Sequence, residues 1–187
     1  MRYRAYQNCE FDKAYAMAKT RMDVESNKLC AGNQETCSVG CMFEGYRHEL
    51  SKYYYNIYPQ CTYALDAIYE GLPTKAESDQ FHIDYYDAIP IGGDTKQAWH
   101  NFMSQLMLDP THGAVVHDKT DSAKTVGLLH LRAASGDMPT KGEWSEAVKA
   151  ASAAKAAVVR VMIDIRRNAD AHYQWQRDTL LQCLRDC

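Results

Sequence analysis

The chain predicts an all-α fold: a single helical domain spanning residues 1–187, with about six or seven helices and a long C-terminal helix. Three observations carry this. Two long stretches, Glu10 to Leu29 and Glu143 to Cys187, contain no Gly or Pro and are rich in good helix formers. Apolar residues along the chain recur at three- and four-residue steps. Breaker segments punctuate it at Ala31-Gly32-Asn33, Gly71-Leu72-Pro73, Ile89-Pro90-Ile91-Gly92-Gly93 and Ser135-Gly136-Asp137-Met138-Pro139. A subdivision into a helical body, 1–139, and a long C-terminal helix or helical hairpin, 140–187, follows from the last of these.

The elements take their expected places in order. Phe11, Ala14, Tyr15, Ala18 and Met22 form the apolar stripe expected of the first helix. Glu35 to Tyr55 carries two thiols and then Tyr53-Tyr54-Tyr55. Pro59 suits the first turn of a helix that continues through Tyr63, Leu65, Ile68 and Tyr69. A shorter helix is expected from Thr74 to about Ala88. Asp94 or Thr95 caps a helix whose Trp99, Phe102, Met103, Leu106 and Met107 pack in the core. Asp109-Pro110-Thr111-His112-Gly113 reads as a turn with Gly113 at positive φ. Ala114-Val115-Val116 has strand character, but a lone strand has nothing to pair with. Asp121 caps a helix to Ala134, and Thr140 with Glu143 forms a capping box.

From Glu143 onward the chain carries Ala147, Ala150, Ala151, Ala153, Ala154, Ala156 and Ala157, small residues that allow close helix approach. A continuous helix there would be roughly 65 Å long. That length implies either a bend near Asn168-Ala169-Asp170 or a projecting helix that meets a partner, with a homodimer as one form.

Composition narrows the function. Apolar residues make up 46%, charged residues 24%, and the net charge is −3 with no basic block. Broad nucleic-acid binding through a phosphate-neutralising face is disfavoured. No apolar run approaches the ~20 residues needed to cross a bilayer, and the first ten residues have no apolar signal core. A cytoplasmic protein with free thiols is the expectation, since seven cysteines is an odd number. Thirteen Tyr against four Phe is a bias toward interfaces and half-buried helix faces. Tyr53, Tyr54, Tyr55 and Trp175 are the candidate interface residues.

The segment Cys37-Ser38-Val39-Gly40-Cys41, with His48 beyond it, is the one place where ligand-type residues crowd together. In a helix, Cys37, Cys41 and His48 share one face. Yet seven residues between Cys41 and His48 mean roughly 10 Å of rise, too far for one ion. A break at Gly40 or Gly45 is therefore needed for a zinc site, with a fourth ligand from Cys9, Cys30, Cys61 or His82. Buried packing thiols and a redox pair are the other readings. His112 and His117, flanked by Asp109 and Asp118, form a second cluster in which a carboxylate could orient an imidazole. Asp66 and Glu70 lie four apart on one helix face and read as a solvated pair. No P-loop, nucleophile elbow or His-Glu-x-x-His occurs.

Cys37-x3-Cys41, Ile68-Tyr-Glu-Gly-Leu-Pro73, Ala88-Ile-Pro-Ile-Gly-Gly-Asp94, Trp99-His-Asn-Phe102, Asp109-Pro-Thr-His-Gly113 and the alanine-rich C-terminal helix follow one another in an order that resembles a family of uncharacterised phage and prophage-associated bacterial proteins. The resemblance runs from about Cys37 to the C-terminus. The closing Tyr173-Gln-Trp-Gln-Arg-Asp178 departs from it, being more polar and aromatic. The resemblance implies an accessory protein of the bacterial host cytoplasm, non-enzymatic, that binds a host macromolecule, with inhibition of a host defence system as one expected outcome. The rival expectations are a metal- or thiol-dependent enzyme using Cys37, Cys41 and His48 or His112 and His117, and a helical dimerisation module.

Overall fold

The computed structural model describes residues 3–118, 120–153 and 169–187. Among these the chain is helical, with α1 Lys13–Glu25, α2 Ser38–Phe43, α3 Leu50–Tyr54, α4 Pro59–Gly71 and α5 Lys75–Ala88. They are followed by α6 Thr95–Leu108, α7 Ser122–Ala134, α8 Lys141–Ala153 and α9 Ala169–Arg185. The described residues contain no strand, only an isolated antiparallel bridge between Arg4 and Asp94. No described helix is long and apolar enough to cross a membrane. The expected bend at Asn168-Ala169-Asp170, and the continuity of the helix from Glu143 to Cys187, lie outside the described residues.

The chain forms two compact units. One holds the residues up to Trp99 together with Leu180–Cys187, and the other holds His100–Thr179. The division falls within α6 and α9.

Helix starts follow local chemistry. The Asp12 carboxylate accepts the Tyr15 N–H at 2.8 Å and caps α1. Pro59 occupies the first turn of α4. Thr74 Oγ1 accepts the Glu77 N–H at 3.2 Å to start α5. Asp94 accepts the Gln97 N–H at 3.3 Å at the start of α6. The expected capping box opens α8: Thr140 Oγ1 accepts the Glu143 N–H, and Glu143 accepts the Thr140 N–H at 2.7 Å.

In the first unit α1 packs on α5, and α4 packs on α2, α3 and α5. The expected stripe of α1 turns out to be its outward face. Ala14, Tyr15, Ala18 and Met22 are exposed, whereas Ala16, Thr20 and Asp23 are buried. Alanines bury little area and so choose a face weakly. The polar residues turned inward instead find partners, Thr20 with the Met17 carbonyl and Asp23 with Lys19. The core beside them is built of tyrosine: Tyr55, Tyr69, Tyr85 and Tyr86 are fully buried with Phe43 and Phe81. The Tyr6 hydroxyl donates to the Tyr86 carbonyl at 2.9 Å within it.

In the second unit α7 packs on α8. His100 and His130 meet Nδ1 to Nδ1 at 3.0 Å, against the Trp144 ring. Ala114–Val116 forms a 3₁₀ turn, and the described residues offer no strand to pair it. Gly113 has φ −73°, not the expected positive value. A Cβ there would instead lie 2.6 Å from the Asp109 backbone, so closeness rather than dihedral freedom demands glycine.

Two predictions follow from this packing. A Cβ at Gly40 would lie 2.2 Å from the Gln34 carbonyl oxygen. Gly40→Ala should lower stability by roughly 2 kcal/mol in urea unfolding, because backbone must move. Burial pushes His82 down to about 3, and burial beside His100 pushes His130 down to about 4. Both are neutral when folded and take up a proton below about 6.5 when unfolded. Their stabilisation is thus complete above pH 6.5 and is lost as pH falls toward 4. Unfolding free energies from urea titrations across that range should drop by up to about 1.4 kcal/mol per pH unit for each histidine, with a smaller drop in His82→Phe.

Candidate functional site

The region that gathers functional groups lies where α2, the turn after it and α4 meet. Cys37 caps α2, its Sγ accepting the Gly40 N–H at 3.4 Å. Glu44 takes a left-handed conformation and Gly45 has φ 155°, which ends α2 and turns the chain back. Of the two expected break points Gly45 is the one used. Gly40 stays helical.

The returning chain delivers Tyr46 and His48 to Asp66 on α4. The Tyr46 hydroxyl donates to Asp66 Oδ2 at 2.7 Å, and His48 Nε2 lies 3.3 Å from the same oxygen. The Cys37 thiol sits beside the carboxyl as well. Burial opposes the charge on Asp66, but hydrogen bonds from His48 and Tyr46 outweigh it and hold the carboxyl below its usual range. The same bond pushes Tyr46 up to about 12. Asp66 is buried, so the solvated pair expected of Asp66 and Glu70 is half corrected: only Glu70 is exposed.

The three expected metal ligands part company here. His48 is committed to Asp66. Cys37 points toward that carboxyl, while Cys41 points away, its Sγ donating to the Thr36 carbonyl at 3.5 Å in the neighbourhood of Asp23, Lys19 and Lys28. Cys30 is exposed, Cys61 lies near Cys183 and Cys187, and His82 is buried against Tyr69 and Tyr86. Among the described residues no three His, Cys, Asp or Glu side chains are gathered so as to hold a metal ion. The thiols are also poor nucleophiles: burial, with the Asp66 charge adding to it, pushes Cys37 up to about 11, and burial raises Cys41.

An open cleft of about 470 Å³ borders this cluster, lined by Gly32, Tyr46, Tyr63, Asp66 and Glu70 among others. The Gly32 N–H reaches both Glu70 carboxylate oxygens at 2.8 Å. The Tyr63 ring stacks on His48 at 3.9 Å between centroids, nearly parallel, and its hydroxyl donates to Glu49 at 2.8 Å. Tyr63 also lines a second groove of about 400 Å³ with Tyr3, Glu49, Lys52, Tyr53 and Tyr58. The two depressions thus share a wall.

The expected interface residues divide. Tyr53 is 61% exposed and lines the second groove. Tyr54 is half-buried against Phe11 and Phe43. Tyr55 is fully buried, its hydroxyl 3.0 Å from Met42 Sδ, and is corrected to a core residue. Trp175 lies half-buried in the second unit between His112 and His172. The Asp109 and Asp118 carboxylates there accept backbone N–H groups, from Thr111 and His112 and from Thr120 and Ala123.

No protein-family model, curated protein or solved structure matches this chain.

Thiol labelling checks the description of the cysteines. With an aromatic disulfide reagent at pH 8, exposed Cys30 should react first. Cys37 and Cys61 should react roughly 100-fold more slowly in the native protein and fully after unfolding. Rapid native labelling of Cys37 would contradict its placement.

Proposed function

We propose that this chain is a non-enzymatic binding protein that docks a partner protein on the tyrosine-lined face of α3 and α4. The observation that carries this reading is the pair of adjoining grooves walled by Tyr3, Tyr46, Tyr53, Tyr58 and Tyr63. Tyrosine offers a large rigid contact with a polar tip and is enriched at protein interfaces. The grooves carry Glu49, Asp66 and Glu70 against one cation, Lys52, so a segment bearing positive charge complements them. The resemblance to phage-associated proteins supports a macromolecule of a bacterial host as the partner, bound in the cytoplasm, and inhibition of a host defence system as the outcome of binding. The raised thiols of Cys37 and Cys41 weigh against the thiol-enzyme reading.

Affinity capture from bacterial lysate tests this. The double variant Tyr53→Ala/Tyr63→Ala should retain the captured protein at least about tenfold less than the parent, while Val148→Ala, exposed in the other unit, should not differ. Circular dichroism confirms that the variants are folded. Equal retention by the double variant would remove the proposed face.

A further inference from the structure

The second groove, of about 400 Å³, differs in character from the cleft beside it. It is walled by the rings of Tyr3, Tyr53, Tyr58 and Tyr63. Neighbours hold these rings in place. Tyr3 meets Tyr58 edge to face at 4.9 Å between centroids, and Tyr63 stacks on His48 while its hydroxyl donates to Glu49. The Lys52 ammonium lies 5.4 Å from the centre of the Tyr53 ring. The hydroxyls of Tyr3, Tyr53 and Tyr58 donate to no other described residue, and all three residues reach solvent. Gln60 also lines the groove, but its Oε1 is sealed from solvent. Glu49 is exposed, already accepts the Tyr63 hydroxyl, and is held by that bond below the usual carboxyl range. The side chains of the groove thus offer ring faces, several hydroxyl donors and Lys52, against one accessible anion.

We infer that this groove binds a proline-rich segment of the partner protein, in polyproline II conformation, with a basic residue flanking the prolines toward Glu49. This rests on the docking reading above and names the chemical class of the docked segment. The balance of donors and acceptors selects it. A helix has its carbonyls bonded internally and leaves the tyrosine hydroxyls unanswered. An ordinary extended strand brings N–H groups that need acceptors, and the described residues hold no strand edge to supply them. A run of prolines has carbonyls free of internal bonds and no N–H to satisfy. Its rings lie against aromatic walls, and its preformed helix loses little entropy on docking. Charge sets the flank: Glu49 in the groove, with Glu70 in the adjoining cleft, complements a cation at one end of the segment.

The test is a titration of the full chain with acetyl-hexaproline-arginine amide, followed by NMR at the rings of Tyr3, Tyr53 and Tyr58. A glycine-serine repeat of equal length ending in arginine, and hexaproline ending in glutamate, serve as comparisons. The proline-arginine peptide should shift the ring signals saturably. The glycine-serine peptide should bind at least about tenfold more weakly, and the glutamate-ended peptide about threefold more weakly. Tyr53→Phe/Tyr58→Phe keeps both rings and removes two donors, and it should weaken the proline-arginine peptide about tenfold. Tyr53→Phe alone changes an exposed hydroxyl, should weaken binding about threefold, and decides the matter if the double variant misfolds. Equal binding of the glycine-serine peptide would overturn the assignment, as would unchanged affinity in Tyr53→Phe or the absence of saturable shifts. Partner capture that depends on Tyr53 and Tyr63 without proline binding overturns the proline assignment alone. Proline binding with capture indifferent to those tyrosines overturns the wider docking face alone.

Discussion

The buried carboxylate of Asp66 is the constraint around which the first unit is arranged. A charge removed from water must be matched by donors, and here they come from two side chains that precede it by 18 and 20 residues. To reach it, the chain has to stop α2 at Glu44 and Gly45, double back, and lay Tyr46 and His48 across α4. The short helix α3 lies beyond that return, and His48 stacks on Tyr63 there. One ionic group thereby ties three elements to one another and shapes the cleft beside them.

The same unit shows what a tyrosine-based core entails. Tyr55, Tyr69, Tyr85 and Tyr86 contribute aromatic area like phenylalanine but bring hydroxyls into an apolar interior. Some are placed where an acceptor exists, as Tyr55 on the Met42 sulfur and Tyr6 on the Tyr86 carbonyl. Burial pushes the pKa of Tyr55, Tyr69, Tyr85 and Tyr86 up and keeps them neutral. Tyrosines at the surface then use the polar tip differently. Tyr46 and Tyr63 each donate to a carboxylate while leaving ring area in the cleft. The tyrosine bias of the composition thus has two sources, a core and a face, and composition alone cannot separate them.

Helix identity was legible wherever the signal is local. Pro59 at a first turn, Thr74 and Asp94 as caps, and the Thr140–Glu143 box act within three or four residues, so the sequence displays both partners at once. The inward face of α1 was not legible, because its apolar stripe is mostly alanine while its buried residues are Thr20 and Asp23. Satisfaction of polar groups by neighbours outweighed a weak hydrophobic preference there. The site was half legible. The i, i+4 spacing of Asp66 and Glu70 was visible, but the donors that bury one and not the other arrive from another element.

By itself the sequence determined the helical class, most helix boundaries and the abundance of tyrosine, all properties of residues close together in the chain. Only the tertiary structure decided that Cys37, Cys41 and His48 diverge, that Tyr55 is core while Tyr53 faces outward, and that Asp66 is buried. The reason is physical. Each of these depends on which group wins a contested partner, and His48 had both thiols and a carboxylate to choose from. A buried anion, costly to leave unpaired, took the histidine, and the thiols were left as cap and packing.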